Sequence, residues 1–70
     1  MFEHGFVNGY EFKAKVYDME SDMGINRGRI SKLAVKKDGK LVANYDRGWD
    51  MRPTTDEAKA AVKAVVKMYK

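Results

Sequence analysis

The chain has no cysteine, one histidine and one proline among its 70 residues. Without cysteine, neither a disulfide nor a thiolate metal site can staple the fold. With His4 as the lone imidazole, a zinc site lacks nitrogen ligands, so no metal or cofactor is expected. Covalent catalysis has no thiol to use, and Ser21 and Ser31 lack a base partner. Asp46 and Asp50 could share acid–base work only in a pocket that raises one pKa, and a chain this short has little room for one. An enzyme is therefore not expected. The run Gly24-Ile25-Asn26-Arg27-Gly28 is no phosphate cradle, because no Lys-Ser/Thr follows the second glycine. No apolar run approaches the ~18 residues of a membrane span. The segment Met1-Phe2-Glu3-His4-Gly5 has neither the basic nor the apolar region of a secretory signal, so a cytoplasmic setting is expected.

Seventy residues are expected to form one domain, spanning 1–70. A chain of this size buries only about 60% of the surface its unfolded form exposes, so the core is thin and association with a second copy is a usual remedy. Net charge is +4, unevenly spread. Residues 1–26 carry five acids and two lysines, or −3, whereas residues 27–70 carry twelve basic residues and five acids, or +7. That asymmetry is compatible with a polyanionic partner.

Phe2 to Val7 is a short strand candidate. It leads into Asn8-Gly9, a strong hairpin signal because both residues tolerate positive φ. Tyr10 to Tyr17 then alternates, with Tyr10, Phe12, Ala14 and Val16 on one face and Glu11, Lys13, Lys15 and Tyr17 on the other. Residues 18–28 read as a loop. Its acids Asp18, Glu20 and Asp22 imitate the start of a calcium loop, but Arg29 stands where the bidentate glutamate belongs. A hairpin follows, from Arg29 to Lys36 and from Lys40 to Asp46. A three-residue connection, Lys37-Asp38-Gly39 with a bulged left-handed Gly39, pairs Val35 with Leu41, Leu33 with Ala43 and Ser31 with Tyr45, and keeps the apolar residues on one face.

The last element is a helix. Thr54 and Glu57 have the spacing of a capping box, with Pro53 just outside. Ala58, Ala61, Val62, Val65, Met68 and Tyr69 make one apolar stripe, and Lys59, Lys63, Lys67 and Lys70 form a solvated row. The order β-β-loop-β-β-α defines an α+β fold: an antiparallel sheet of three to four strands with one C-terminal helix packed on one face.

Between sheet and helix lies Tyr45-Asp46-Arg47-Gly48-Trp49-Asp50, which holds the sole tryptophan. In an extended chain Tyr45, Arg47 and Trp49 share one face. Two roles are open to them. Trp49 can anchor the core while Gly48 permits a bend. Alternatively the three form a recognition patch, since Trp, Tyr and Arg are enriched at interface hot spots.

The segments Gly24-Ile25-Asn26-Arg27-Gly28-Arg29-Ile30-Ser31-Lys32-Leu33 and Tyr45-Asp46-Arg47-Gly48-Trp49-Asp50, with Asn8-Gly9-Tyr10 and Pro53-Thr54, resemble a family of small uncharacterised proteins from Gram-positive bacteria and their phages. The resemblance implies a bacterial or phage cytoplasmic setting and brings no assigned activity. The architecture is also similar to the arm-type DNA-binding domain of tyrosine-recombinase integrases, in which the sheet face enters the major groove. That likeness is one of plan, without a shared motif.

Two functions remain. One is a non-enzymatic accessory or protein-interaction module, with an unknown protein or a second copy as partner. Its contact would be an apolar strip of Ile30, Ala34 and Val42 across the polar face of the last hairpin. The other is a nucleic-acid-binding domain using Lys13, Lys15, Lys32, Lys36 and Lys40 on the open face of the sheet, with Tyr17 and Asn44 among them.

Overall fold

Glycine and asparagine turns divide the chain into strands that pair with their sequence neighbours. A computed structural model describes residues 2–70. The strands are β1 (Phe2–Val7), β2 (Tyr10–Val16), β3 (Ile30–Lys37), β4 (Lys40–Asp46) and β5 (Trp49–Met51), followed by one helix, α1 (Asp56–Met68). They form one antiparallel sheet in the order β1-β2-β3-β4-β5. The fold is thus α+β, with five strands rather than three or four. The short β5 carries no alternation long enough to be read from sequence.

The β1–β2 turn is the two-residue connection expected, with Asn8 and Gly9 at φ 51° and 81°. The β3–β4 connection departs from the expected three-residue loop. Asp38 and Gly39 both have positive φ, 52° and 78°, and Lys37 pairs with Lys40 across a two-residue turn. The face conflict this creates is removed by a bulge in β4. Lys36 pairs with Leu41 but Val35 with Ala43, so Val42 is the extra residue and turns toward the core. Beyond it Leu33 pairs with Tyr45, and Ser31 does not. A second bulge lies in β3, where Lys15 pairs with Lys32 and Val16 with Ile30, which leaves Ser31 as the extra residue. Through these bulges Ile30 is buried and Val42 packs against the core. The apolar strip of Ile30, Ala34 and Val42 therefore does not exist on the open face.

The core lies between one sheet face and α1. Tyr10, Phe12 and Ala14 come from β2, Leu33 and Val35 from β3, Ala43 and Tyr45 from β4, and Ala58, Ala61, Val62 and Val65 from the helix. The two small residues of the helical stripe, Ala58 and Ala61, are buried and let α1 lie close to the sheet. Met68, expected in that stripe, is 54% exposed, whereas Tyr69 beside it packs on the core against Phe12. The helix begins one residue later than the capping-box spacing indicates. Thr55, not Thr54, is the N-cap, and its Oγ1 accepts a hydrogen bond from the Ala58 amide at 3.1 Å. Asp56 and Glu57 then occupy the first turn, where the helix dipole favours acids.

The loop between β2 and β3 is bound to the rest of the chain. The Ser21 amide donates to the Gly28 carbonyl at 3.0 Å, and the Tyr17 amide to the Arg29 carbonyl at 2.9 Å. Asn26 and Arg27 have positive φ, and this tight turn drives Ile25 into the core. The Tyr45 hydroxyl donates to the Met23 carbonyl at 2.8 Å. Arg29 donates from Nε to the Tyr69 carbonyl at 3.1 Å, tying the loop to the helix C-terminus, where a cation is favoured.

Candidate binding face of the sheet

The face of the sheet opposite α1 is uncovered among the described residues. Strand alternation sends Glu11, Lys13 and Lys15 of β2 to it, and cross-strand pairing adds their neighbours. His4 pairs with Lys13 and Phe6 with Glu11 on the β1 side. Ala34 pairs with Lys13, Lys32 with Lys15 and Lys36 with Glu11 on the β3 side. Asn44 and Asp46 follow on β4, opposite Ala34 and Lys32. Lys13, Lys15, Lys32 and Lys36 thus gather on adjoining positions. Lys40 does not join them. It pairs with Lys37, whose ammonium lies 5.0 Å from the centre of the Tyr10 ring on the core side. The two-residue turn, in place of the expected three-residue one, sends Lys40 to that side.

Aromatic rings interleave with these lysines, a feature that strand register makes visible and composition does not. Phe2 is 56% exposed, Phe6 73% and Tyr17 45%. The Lys13 ammonium stands 5.1 Å from the centre of the Phe2 ring. Lys15 reaches both Phe2, at 5.8 Å, and Tyr17, at 5.4 Å. Each is within cation–π range, so the rings and charges form one surface. The phenol of Tyr17 is held below its ordinary pKa, first by the neighbouring Lys15 ammonium, which favours the phenolate. Ser31 adds to the shift through proximity rather than a formed bond, since its buried hydroxyl has no partner in hydrogen-bonding geometry. The acids on the face are partly engaged. Glu11 meets His4 at 3.1 Å, and Asp46 lies 3.9 Å from both Lys32 and Arg47.

Tyr45, Arg47 and Trp49 are not brought together as a patch. Tyr45 is buried, and Trp49 packs on it edge to face with ring centres 5.1 Å apart. The Arg52 guanidinium covers the outer side of Trp49 at 5.7 Å. Arg47 has φ 57° and sits in the turn, so the chain is not extended there and its side chain points into solvent. The bend falls at Arg47 rather than at Gly48. Trp49 is therefore a lid on the edge of the core.

A feature not legible in the sequence is a groove of about 410 Å³ between the β2–β3 loop and the end of α1. Ile25, Ile30, Val66 and Tyr69 contribute apolar wall, with Arg29, Lys63, Lys67 and Lys70 around it. Arg29, one of its lining residues, ties the loop to the Tyr69 carbonyl at the end of the helix.

A helix packed on a five-stranded antiparallel sheet, with a bare face of lysine and aromatic side chains, defines a small α+β domain. The chain belongs to a family described as a domain of unknown function, DUF7678, whose model matches residues 1–70. Neither the curated proteins nor the solved structures give a significant match. Among the described residues no helix is long and apolar enough to cross a membrane, and no group of three or more His, Asp or Glu side chains is placed to hold a metal ion.

Proposed function

We propose that this chain is a non-catalytic binding module whose working surface is the open face of the sheet, and that its ligand is single-stranded nucleic acid. The observation that carries this reading is the interleaving of Phe2 and Tyr17 with Lys13 and Lys15 beside Lys32 and Lys36. Exposed rings on a sheet offer stacking platforms for unpaired bases, and the lysines between them can follow the phosphates. A duplex keeps its bases stacked internally and cannot use the rings, which favours a single strand. The setting that goes with this reading is the cytoplasm of a bacterium or of its phage-infected cell.

The test is a fluorescence anisotropy titration of a labelled single-stranded oligonucleotide and of its duplex at two salt concentrations. If all four lysines are engaged, log K falls with log salt at a slope of about −2.8, or roughly fifty-fold between ~50 and ~200 mM. The pair Lys13→Glu and Lys32→Glu should abolish binding. Lys59→Glu with Lys63→Glu should weaken it only through net charge, because each pair moves the chain from +4 to 0. Equal losses in the two variants, or no binding at ~50 mM salt, would remove this reading. A module for a protein partner is the second reading, favoured by Phe6, whose ring is exposed and is covered by no lysine in the way that Phe2 is. Binding of no oligonucleotide at all would favour it.

A further inference from the structure

We infer that β1 is a self-complementary edge, and that two copies of this chain pair through it to make one continuous ten-stranded sheet. The inference does not depend on the nucleic-acid reading: it rests on the outward main-chain groups of β1, although the Phe2 ring takes part in both.

Among the described residues β1 is the last strand on its side of the sheet. Exposed edges are usually blunted by shortness, lysine, proline or a bulge. The opposite edge, β5, is blunted: it has three residues, and Pro53 follows it closely. By contrast β1 has six residues, pairs with β2 without a register shift, and holds neither lysine, arginine nor proline. In a chain with 14 basic residues, the only formal charge on this six-residue strand, the imidazole aside, is that of Glu3.

Register then selects the partner. Val7 and Tyr10 flank a two-residue turn and so form a hydrogen-bonded pair. Alternation makes Gly5–Phe12 and Glu3–Ala14 hydrogen-bonded pairs as well. The amides and carbonyls of Phe2, His4 and Phe6 consequently point away from β2, toward the free edge. An antiparallel pairing centred on His4 sets Phe2 against Phe6 of the second copy, His4 against His4, and Phe6 against Phe2. All three are then hydrogen-bonded pairs, so every outward group finds a partner. The same register places two phenylalanine pairs on the open face, where aromatic cross-strand pairs stabilise a sheet. On the core side, Glu3 falls opposite Gly5, which has no side chain to clash. Self-complementarity of this kind is what a twofold interface requires, and an unrelated peptide would have no reason to match it.

The test is sedimentation velocity on the intact chain without nucleic acid, from about 1 μM to about 1 mM. That range suits an interface at the small end of the size scale. The weight-average mass should rise from 8.0 kDa toward twice that value. Phe6→Lys should hold the chain at the monomer mass throughout, and so should His4→Pro. The latter removes an amide that points outward, and edge positions tolerate proline. Leu41→Lys, at the far side of the sheet, should associate like the parent. Amide exchange at His4 and Phe6 should slow as concentration rises, whereas Gly5, already bonded to β2, should not change. A parent that stays at 8.0 kDa across the range, or a Phe6→Lys and a His4→Pro that both dimerise like the parent, would overturn the inference. Dimerisation lost in Leu41→Lys instead would also overturn it, by moving the interface to the other edge.

Discussion

Replacing Gly24 by alanine should be among the most damaging single-methyl changes in this chain. Gly24 has an ordinary extended backbone, φ −82° and ψ 161°, so left-handed strain is not the reason. The reason is space. A Cβ there would lie well inside contact distance of the Gly28 carbonyl oxygen and 3.1 Å from the Ile30 carbonyl oxygen. Both are backbone atoms, and Gly28 accepts the Ser21 amide, so neither can yield cheaply. The loop must open instead. Opening withdraws Ile25 from the core, at about 1.5–3 kcal/mol for a buried aliphatic side chain. It also breaks the bond from Tyr45 to the Met23 carbonyl, worth about 0.5–1.5 kcal/mol. The expected loss is therefore about 2–4.5 kcal/mol. A 70-residue domain has roughly 4–10 kcal/mol in all, so the loss is a large fraction of the total. At about 4–8 °C per kcal/mol, Tm should fall by roughly 10–30 °C. The assay is urea denaturation followed by circular dichroism, with Gly48→Ala as control, since a Cβ at Gly48 meets nothing within 4 Å. The control should stay within about 0.5 kcal/mol of the parent. A Gly24→Ala chain as stable as that control would refute the reasoning.

Other expectations are local. Thr55→Ala should cost about 0.5–2 kcal/mol by denaturation midpoint, whereas Thr54→Ala should leave the midpoint near the parent's, because only Thr55 caps the helix. Gly39→Val should lower the melting temperature through about 1–3 kcal/mol of left-handed strain, and Asp38→Asn should not; equal melting of the two would mean the turn differs from the one described. If oligonucleotide binding is observed, it should weaken as pH rises toward 10, starting below the usual phenol range, because Tyr17 becomes an anion early. Tyr17→Phe should move the onset of that loss upward, and an unchanged pH profile would show that Tyr17 is not at the ligand.

Much of the fold could be read from spacing. The alternation in Tyr10 to Val16, the Asn8-Gly9 turn and the Ala58-Ala61-Val62-Val65 stripe all lie where a period of two or of 3.6 indicates. What failed was register. Each bulge, at Ser31 and at Val42, inserts one residue and exchanges the two faces beyond it. A reading that allows no bulge within the strands must lengthen the Asp38-Gly39 turn to keep the apolar residues together, and it then misplaces Lys40, Ile30 and Val42 together. The hexapeptide misled for a related reason. Arg47 is left-handed, a conformation that sequence does not advertise at an arginine, so Tyr45 and Trp49 meet around a turn rather than along a strand. Four of the five lysines expected on the open face are there, because β2 and the part of β3 beyond the Ser31 bulge keep simple alternation. The exposed rings of Phe2 and Phe6 are set by the pairing of β1 with β2, and only the register reveals which face they take.

The most direct measurement is a map of amide and side-chain chemical shifts as a single-stranded oligonucleotide is added to the isotopically labelled chain. Binding to the open face should move the resonances of Phe2, Lys13, Lys15, Tyr17, Lys32 and Lys36 first and most, with those of α1 left in place. Shifts gathered instead on Ile25, Lys63, Lys67 and Lys70 around the loop–helix groove, or no shifts at all at ~50 mM salt, would contradict the sheet-face account.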